Sequence, residues 1–105
     1  MEYVEVQGAR VPKLGLGTWQ LEGDECRRIV EAAIGMGYRH IDTAQAYENE
    51  AKVGAAIAAS GVDRDELWVT TKVWMDNAAA DAVVKSTHDS LRRLGLDHVD
   101  LLLIH

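Results

Sequence analysis

The sequence contains no phenylalanine, one proline and one cysteine among its 105 residues. A lone cysteine, Cys26, cannot form a disulfide framework or a thiolate metal site, so a reducing, cytoplasmic setting is expected. No apolar run approaches the roughly 20 residues of a membrane-spanning helix, and residues 1–5 are too acidic for a signal peptide. We therefore expect no membrane association.

Positive charge is also scarce. Eleven Lys and Arg residues face 17 Asp and Glu residues, which gives a net charge of −6. Surfaces that bind nucleic acids or anionic membranes need clustered basic residues, so neither partner is expected. Cys26 has no metal-ligand spacing with His40, His88 or His98, and no metal site is predicted.

The remaining composition is ordinary for a globular protein, with 48% apolar and 27% charged residues. The length suits one small domain with its own core. No linker or low-complexity tract divides the chain. Residues 1–105 are therefore predicted to form a single domain.

Strand-like and helix-like segments alternate along the chain. A hairpin is expected at 3–6 and 10–11, with its turn at 7–9 and Pro12 ending the second arm. Apolar and β-branched runs predict core strands, and apolar spacing at i, i+3 and i+4 predicts helices. The strands are expected at 13–19, 38–41, 67–73 and 99–105, and the helices at 24–36, 49–60 and 77–94. Asn77 is expected to cap the last helix and Gly95 to end it.

This order, a hairpin followed by β-α-β-α-β-α-β, predicts an α/β fold with a parallel sheet. The alternation alone suits either a barrel or a doubly wound sheet. Parallel strands place their carboxyl ends on one face, and enzymes of this kind keep their chemistry there. The residues at the strand ends therefore decide between the two architectures.

Each predicted strand ends in residues that are able to do chemistry. These are Gly17, Thr18 and Trp19, then Asp42, then Lys72, and finally His105, with Tyr47 in the loop after the second strand. Each has a simpler alternative when taken singly. Asp42 could cap the following segment, Tyr47 could pack in a core, Lys72 could end its strand at the solvent, and His105 could be frayed.

Together the four side chains form a chemically coherent set. A phenol donates its proton poorly at neutral pH, and a neighbouring Lys72 ammonium would make Tyr47 a better acid. A buried ammonium needs a counter-charge, which Asp42 can supply. A neutral imidazole can donate a hydrogen bond to a carbonyl oxygen. The set suits the protonation of a carbonyl oxygen while a hydride arrives at carbon.

The block at 37–50 combines an Arg-x-Ile-Asp-Thr-Ala core with a Tyr-x-Asn-Glu tail. It closely resembles the signature of the aldo-keto reductases. The runs at 14–19, 70–74 and 103–105 match that family as well. Within the family the chain looks most like the bacterial branch that contains diketogluconate reductases. The resemblance implies the N-terminal half of a (β/α)8 TIM barrel.

The resemblance also implies NADPH-dependent reduction of aldehydes or ketones. The family's catalytic tetrad matches Asp42, Tyr47, Lys72 and His105. Gly17, Thr18 and Asp42 would lie beside the cofactor. The substrate pocket would be lined by Trp19, Tyr47, Trp74 and His105, although both tryptophans could instead be core aromatics. No Rossmann glycine fingerprint is present, as expected for this family.

A whole barrel needs about 250 residues and eight strands, whereas four strands are predicted here. We therefore expect activity only when a C-terminal half completes the barrel, and we expect the isolated chain to be inactive. Two alternatives stay open. The chain could be a non-enzymatic scaffold or binding module of reductase ancestry, or an inert half-barrel that self-associates through its open edges.

Overall fold

The computed structural model describes residues 1–105. Six strands and three α-helices follow one another in the predicted alternation. They are β1 (Tyr3–Val6), β2 (Ala9–Pro12), β3 (Gly15–Gly17), α1 (Gly23–Gly35), β4 (His40–Asp42), α2 (Glu50–Ala59), β5 (Trp68–Val73), α3 (Ala80–Leu94) and β6 (Leu101–Ile104). Three short 3-10 turns at Gln45–Tyr47, Arg64–Glu66 and Met75–Asn77 lie in the connections.

The strands β3 to β6 form one parallel sheet in the order β3-β4-β5-β6. Gly17 pairs with Asp42, Asp42 pairs with Thr70, and Lys72 pairs with Leu103. Paired residues on parallel neighbours point to the same face, because side chains alternate along each strand. The register therefore places Gly17, Asp42 and Lys72 on the inner face of the curved sheet.

The core lies between the outer face of this sheet and the three helices. Its buried members are Cys26, Val30, Ile34, Ile41, Val53, Ala56, Ile57, Leu67, Val69 and Leu94. In α1 the apolar residues at i, i+3 and i+4 spacing are buried except Ile29, which is half-buried; they are Cys26, Ile29, Val30, Ala33 and Ile34. Burying one aliphatic side chain contributes about 1.5–3 kcal/mol. This apolar core therefore holds the helices against the outer face of the sheet, whose inner face carries polar groups.

The ends of α3 show one correct and one wrong prediction. Gly95 ends the helix in the left-handed conformation with φ 69°, as its freedom from a Cβ allows. Asn77 does not cap the helix, which begins at Ala80 after Ala79. Asn77 instead ends the 3-10 turn, and its side-chain amide donates to Gln45 Oε1 at 3.2 Å.

The hairpin turn is shorter than predicted. Gln7 and Gly8 form a two-residue turn with φ values of 49° and 84°, the left-handed pair that tight hairpins favour. Ala9 therefore lies in β2 opposite Val6, and Pro12 is the last residue of that strand. As predicted, the second arm ends at the proline, which has no N–H for a longer ladder.

The last strand is uncovered. Leu101, Leu102, Leu103 and Ile104 are between 36% and 60% exposed, because β6 lies at the edge of the sheet. None of the three helices is both long enough and apolar enough to cross a membrane.

Candidate active site

Lys72 is the centre of a cluster at the carboxyl ends of the strands. Its Nζ lies 2.5 Å from Asp42 Oδ1, 3.1 Å from Tyr47 Oη and 3.2 Å from the carbonyl oxygen of Thr43. An ammonium carries three N–H donors, and these acceptors use all three. The side chain is only 14% exposed. Lys72 is therefore a largely buried charge whose hydrogen bonds are all satisfied.

The sheet register explains how Asp42 and Lys72 meet. Asp42 is the last residue of β4 and pairs with Thr70, two residues before Lys72 on β5. Both side chains face inward, and the four-carbon stem of Lys72 brings its ammonium to the carboxylate. The alternative that Lys72 ends its strand at the solvent is thereby excluded.

Tyr47 reaches the same cluster through the 3-10 turn Gln45–Tyr47, which the sequence did not predict. The Tyr47 N–H donates to the carbonyl oxygen of Ala44 at 3.1 Å, and Glu48 turns the chain away with φ 57°. One tight turn therefore returns the phenol to the sheet. Lys72 Nζ also lies 4.9 Å from the centroid of the Tyr47 ring.

His105 is held in place rather than frayed. Its N–H donates to the carbonyl oxygen of Val73 at 2.9 Å, which continues the sheet ladder beyond β6. Its ring meets the Tyr47 ring edge-on at 5.9 Å and the Trp74 ring edge-on at 5.6 Å between centroids. The four predicted tetrad side chains thus lie together at one end of the sheet.

Two opposing effects set the ionisation of Lys72. Burial alone would lower its pKa, but the hydrogen bonds to Asp42 and Tyr47 and their negative potential outweigh burial. The pKa is therefore raised above its ordinary value of 10.5. Lys72 stays cationic throughout the neutral range.

This shift predicts a loss of stability at high pH. A group whose pKa is raised by folding stabilises the folded state fully below its unfolded pKa of 10.5, and the gain disappears as the pH rises through the folded value. We expect the melting temperature of the protein to fall more steeply above that pH than that of a Lys72→Met variant. Thermal melts from pH 7 to pH 12 test this, and curves that stay parallel above pH 10.5 would contradict it.

The two predicted cofactor residues at the end of β3, Gly17 and Thr18, differ in their surroundings. Thr18 is fully buried, and its hydroxyl donates to the carbonyl oxygen of Asp42 at 3.0 Å. Its side chain therefore supports Asp42 and is not presented to a ligand. A Cβ at Gly17 would meet no atom within 4 Å, so the end of β3 leaves open space beside the Asp42 carboxylate. Gly17 and Asp42, but not Thr18, line a cavity of about 520 Å³.

The two predicted pocket tryptophans also differ. Trp74 packs on His105, and its indole N–H donates to Asp76 at 3.1 Å. Trp19 is 68% exposed and pairs with none of the other aromatic rings. A larger cavity of about 860 Å³ lies outside the sheet, between α2 and α3, and contains none of the four tetrad residues. The tetrad faces the open inner side of the sheet instead.

Asn49 and Glu50 hold the site together in a way that the sequence did not predict. Asn49 precedes the first turn of α2 and Glu50 begins it, but neither side chain caps the helix. The Asn49 amide donates to the carbonyl oxygens of Thr18 and Leu21 at 2.8 and 3.0 Å, and its oxygen accepts from Thr43 at 2.6 Å. It therefore joins the loops that follow β3 and β4.

Glu50 is buried and ties β5 to α3. It accepts hydrogen bonds from the Thr71 hydroxyl at 2.6 Å and from Arg93 Nη2 at 2.6 Å. Thr71 directly precedes Lys72, and Glu50 follows Tyr47 by three residues. The sequence signal for this role was the position of Glu50 inside the block at 37–50. Its partner Arg93 lies 43 positions away, so the pair could not be recognised from that block alone.

A sequence model described as the Aldo/keto reductase family matches residues 13–105. The chain belongs to the aldo-keto reductase family. It is 50% identical over 95 residues to the methylglyoxal reductase DkgB of Salmonella typhi, which covers 90% of this chain and 36% of that protein. It is 50% identical over 98 residues to the glycerol 2-dehydrogenase (NADP(+)) of Saccharomyces cerevisiae, which covers 93% of this chain and 31% of that protein.

The fold of this aldo-keto reductase chain is shared with solved structures. A crystal structure of a protein proposed to be a 2,5-diketo-D-gluconic acid reductase B superposes with a TM-score of 0.95 at 51% identity, over 100% of this chain and 37% of the other. The predictions of the family, the diketogluconate reductase branch and the N-terminal part of the (β/α)8 barrel are confirmed. The chain spans about a third of the length of these relatives.

Proposed function

We propose that this chain carries the proton-donating side of an NADPH-dependent carbonyl reductase, which acts within a complete barrel. Tyr47 is the general acid in this proposal, Lys72 activates it, Asp42 keeps Lys72 charged, and His105 orients the substrate oxygen. The observation that carries the proposal is the Lys72 ammonium bound at once to the Asp42 carboxylate and the Tyr47 hydroxyl.

The direction of the hydrogen bond between Lys72 and Tyr47 determines where the Tyr47 proton can go. An ammonium can only donate, so Tyr47 Oη accepts from Lys72, and the phenolic hydrogen is directed to another acceptor. A carbonyl oxygen that gains negative charge is a strong acceptor. When Tyr47 gives up its proton, the phenolate left behind is stabilised by the Lys72 charge 3.1 Å away.

Asp42 and His105 complete this arrangement. Without a counter-charge, burial would favour the neutral amine of Lys72, and a neutral amine would not stabilise a phenolate. His105 packs edge-on against Tyr47, so an imidazole N–H can donate to the same substrate oxygen that receives the Tyr47 proton. Two donors on one oxygen both hold the substrate and favour charge on that oxygen.

The residues around Asp42 fit a dinucleotide cofactor. The Asp42 carboxylate is 33% exposed, only its Oδ1 is hydrogen-bonded within the protein, and Gly17 leaves open space next to it. Asp42 and Gly17 would therefore hold the cofactor, with Thr18 supporting Asp42 from behind. When bound, NADPH supplies the hydride. The name of the yeast relative, which includes NADP(+), supports this choice.

Small aldehydes and ketones are the proposed substrates. The Salmonella relative is named for methylglyoxal and the yeast relative for glycerol, and the oxidation of glycerol at its second carbon yields a small ketone. The edge-on contact between Trp74 and His105 supplies an apolar surface beside the proposed donor, which suits the carbon skeleton of such a compound.

The test compares this chain with a joined barrel, in which residues 1–105 are fused to the C-terminal portion of the Salmonella relative. NADPH oxidation is measured with methylglyoxal, and circular dichroism establishes folding. The joined barrel is expected to turn over. The 105-residue chain is expected to show no turnover and to self-associate, because four strands do not close a barrel around the reactants and the β6 edge is exposed.

The unmodified Salmonella relative controls for the substrate. A joined barrel that folds but oxidises no NADPH would refute the proposed function. Turnover by a monomeric 105-residue chain, established by light scattering, would instead show that the four strands are sufficient.

A further inference from the structure

The side-chain amide of Gln45 joins three elements around the candidate active site. Its Oε1 accepts from the backbone N–H of Trp74 at 2.9 Å and from Asn77 Nδ2 at 3.2 Å. Its Nε2 donates to the carbonyl oxygen of Ser86 and to the hydroxyl of Ser90, each at 3.2 Å. Both ends of the amide are therefore engaged.

We propose that Gln45 is a positioning residue that sets where Trp74 lies relative to Tyr47, and so controls how tightly the carbonyl substrate binds. This inference rests on the proposed function and adds a determinant of substrate binding to it. Gln45 and Tyr47 share one 3-10 turn, so the amide transmits the position of that turn directly to the next strand–helix connection.

The contact is made where the sheet stops. β5 ends at Val73, and Trp74 is the first residue beyond the strand. Gln45 Oε1 takes up its N–H at the point where the following 3-10 turn Met75–Asn77 begins. Because Trp74 is 37% exposed, core packing alone does not fix it. The hydrogen bond from its backbone is the attachment that connects it to the Tyr47 turn.

Aromatic contacts connect the position of Trp74 to the candidate active site. The Trp74 ring lies edge-on to the His105 imidazole, with 5.6 Å between centroids. The Tyr47 ring lies edge-on to the same imidazole at 5.9 Å. A displaced Trp74 would therefore change the surface beside the proposed proton donor without touching Lys72 or Asp42. This separates an effect on substrate binding from an effect on proton transfer.

Only an amide satisfies all four contacts. The Trp74 and Asn77 side requires an acceptor, and the Ser86 carbonyl requires a donor. A Gln45→Met variant keeps the length of the side chain but loses both functions. Ala46→Met places the same side chain on the neighbouring exposed residue and serves as the matched control. Asn77→Ala removes the second donor and leaves the Trp74 bond intact.

The experiment measures two quantities in the joined barrel and these three variants. Hydrogen exchange of the Trp74 amide reports the bond itself and needs no activity. For Gln45→Met we expect exchange to be faster by roughly tenfold and the KM for methylglyoxal to rise roughly 3- to 10-fold, as for one lost hydrogen bond. The KM for NADPH and the pH profile of kcat should stay unchanged. Ala46→Met and Asn77→Ala should resemble the parent.

Exchange of the Val53 amide, in the core of α2, separates a local change from general loosening. Parent-like exchange at Trp74 in Gln45→Met would overturn the proposal, and so would faster exchange with an unchanged KM for methylglyoxal. An equal effect in Asn77→Ala would also overturn it, since the position would then depend on Asn77. If the parent oxidises no NADPH, the proposed function fails, whereas the Trp74 amide still decides whether Gln45 positions the loop.

Discussion

Replacing Tyr47 with phenylalanine in the joined barrel is expected to lower kcat by a factor of about 10²–10⁴, the range for the loss of a general acid. The ring and its edge-on contact with His105 remain, so only the hydroxyl is removed. Lys72 loses the acceptor at 3.1 Å but keeps Asp42 and the carbonyl of Thr43. Substrate binding should change far less than kcat, because the pocket keeps its shape.

Single-turnover oxidation of NADPH measures this step without interference from product release. Tyr38→Phe is the matched control, since Tyr38 is also half-buried but follows α1 at the opposite end of the sheet. It should react at the parent rate. A Tyr47→Phe variant with the parent rate would remove this phenol from the proposed mechanism.

Gly54→Ala is expected to destabilise the protein by about 3 kcal/mol, the upper part of the usual range for overpacking. A Cβ at Gly54 would lie 2.3 Å from the carbonyl oxygen of Leu94 and 2.6 Å from its carbonyl carbon. These are backbone atoms of α3, so no side-chain rotation can relieve the clash. The two helices would have to separate, which would expose the core around Leu94.

The helix propensity of alanine opposes this cost by only about 1 kcal/mol. Gly35→Ala serves as the control, because a Cβ there meets no atom within 4 Å, and its stability should be unchanged or slightly higher. Denaturant unfolding of the joined barrel measures both variants. Equal midpoints for Gly54→Ala and the parent would contradict the close contact between α2 and α3.

The elements that the sequence predicted well depend on local patterns. The apolar stripe of α1 and the β-branched run of β5 can be recognised within one segment, and both lie close to their predicted bounds. Asp42 and Lys72 lie 30 positions apart, but their convergence follows from the order of strands that are each recognised locally, because parallel strands bring their carboxyl ends to one face. The positions of potentially catalytic residues at the strand ends therefore predicted most of the candidate site.

The features that the sequence did not predict depend on distant partners. Asn77 looks like a helix cap, but the Gln45 amide, 32 positions earlier, takes up its donor. Glu50 looks like a charge at a helix start, but Arg93 draws it into a buried pair. Asn49 bonds main-chain atoms of a loop near residue 20 instead of its own helix. Local propensity takes no account of hydrogen-bond partners that are distant in sequence, so these contacts are recognised only in the folded structure.

The order of the sheet bears on how the protein is made. From β4 onward each strand pairs with the strand synthesised just before it, and each of these pairings closes a loop of roughly 25 to 31 residues, as from Gly15 to His40 and from Thr70 to Leu101. Closing a loop of this length costs only slightly more chain entropy than closing a shorter one, although parallel pairing forms more slowly than the local contacts within a helix. During translation each new unit therefore docks on an edge that already exists. The proposed proton-transfer residues Asp42, Tyr47, Lys72 and His105 lie between β4 and the residue after β6, so they can come together as soon as these elements have been translated.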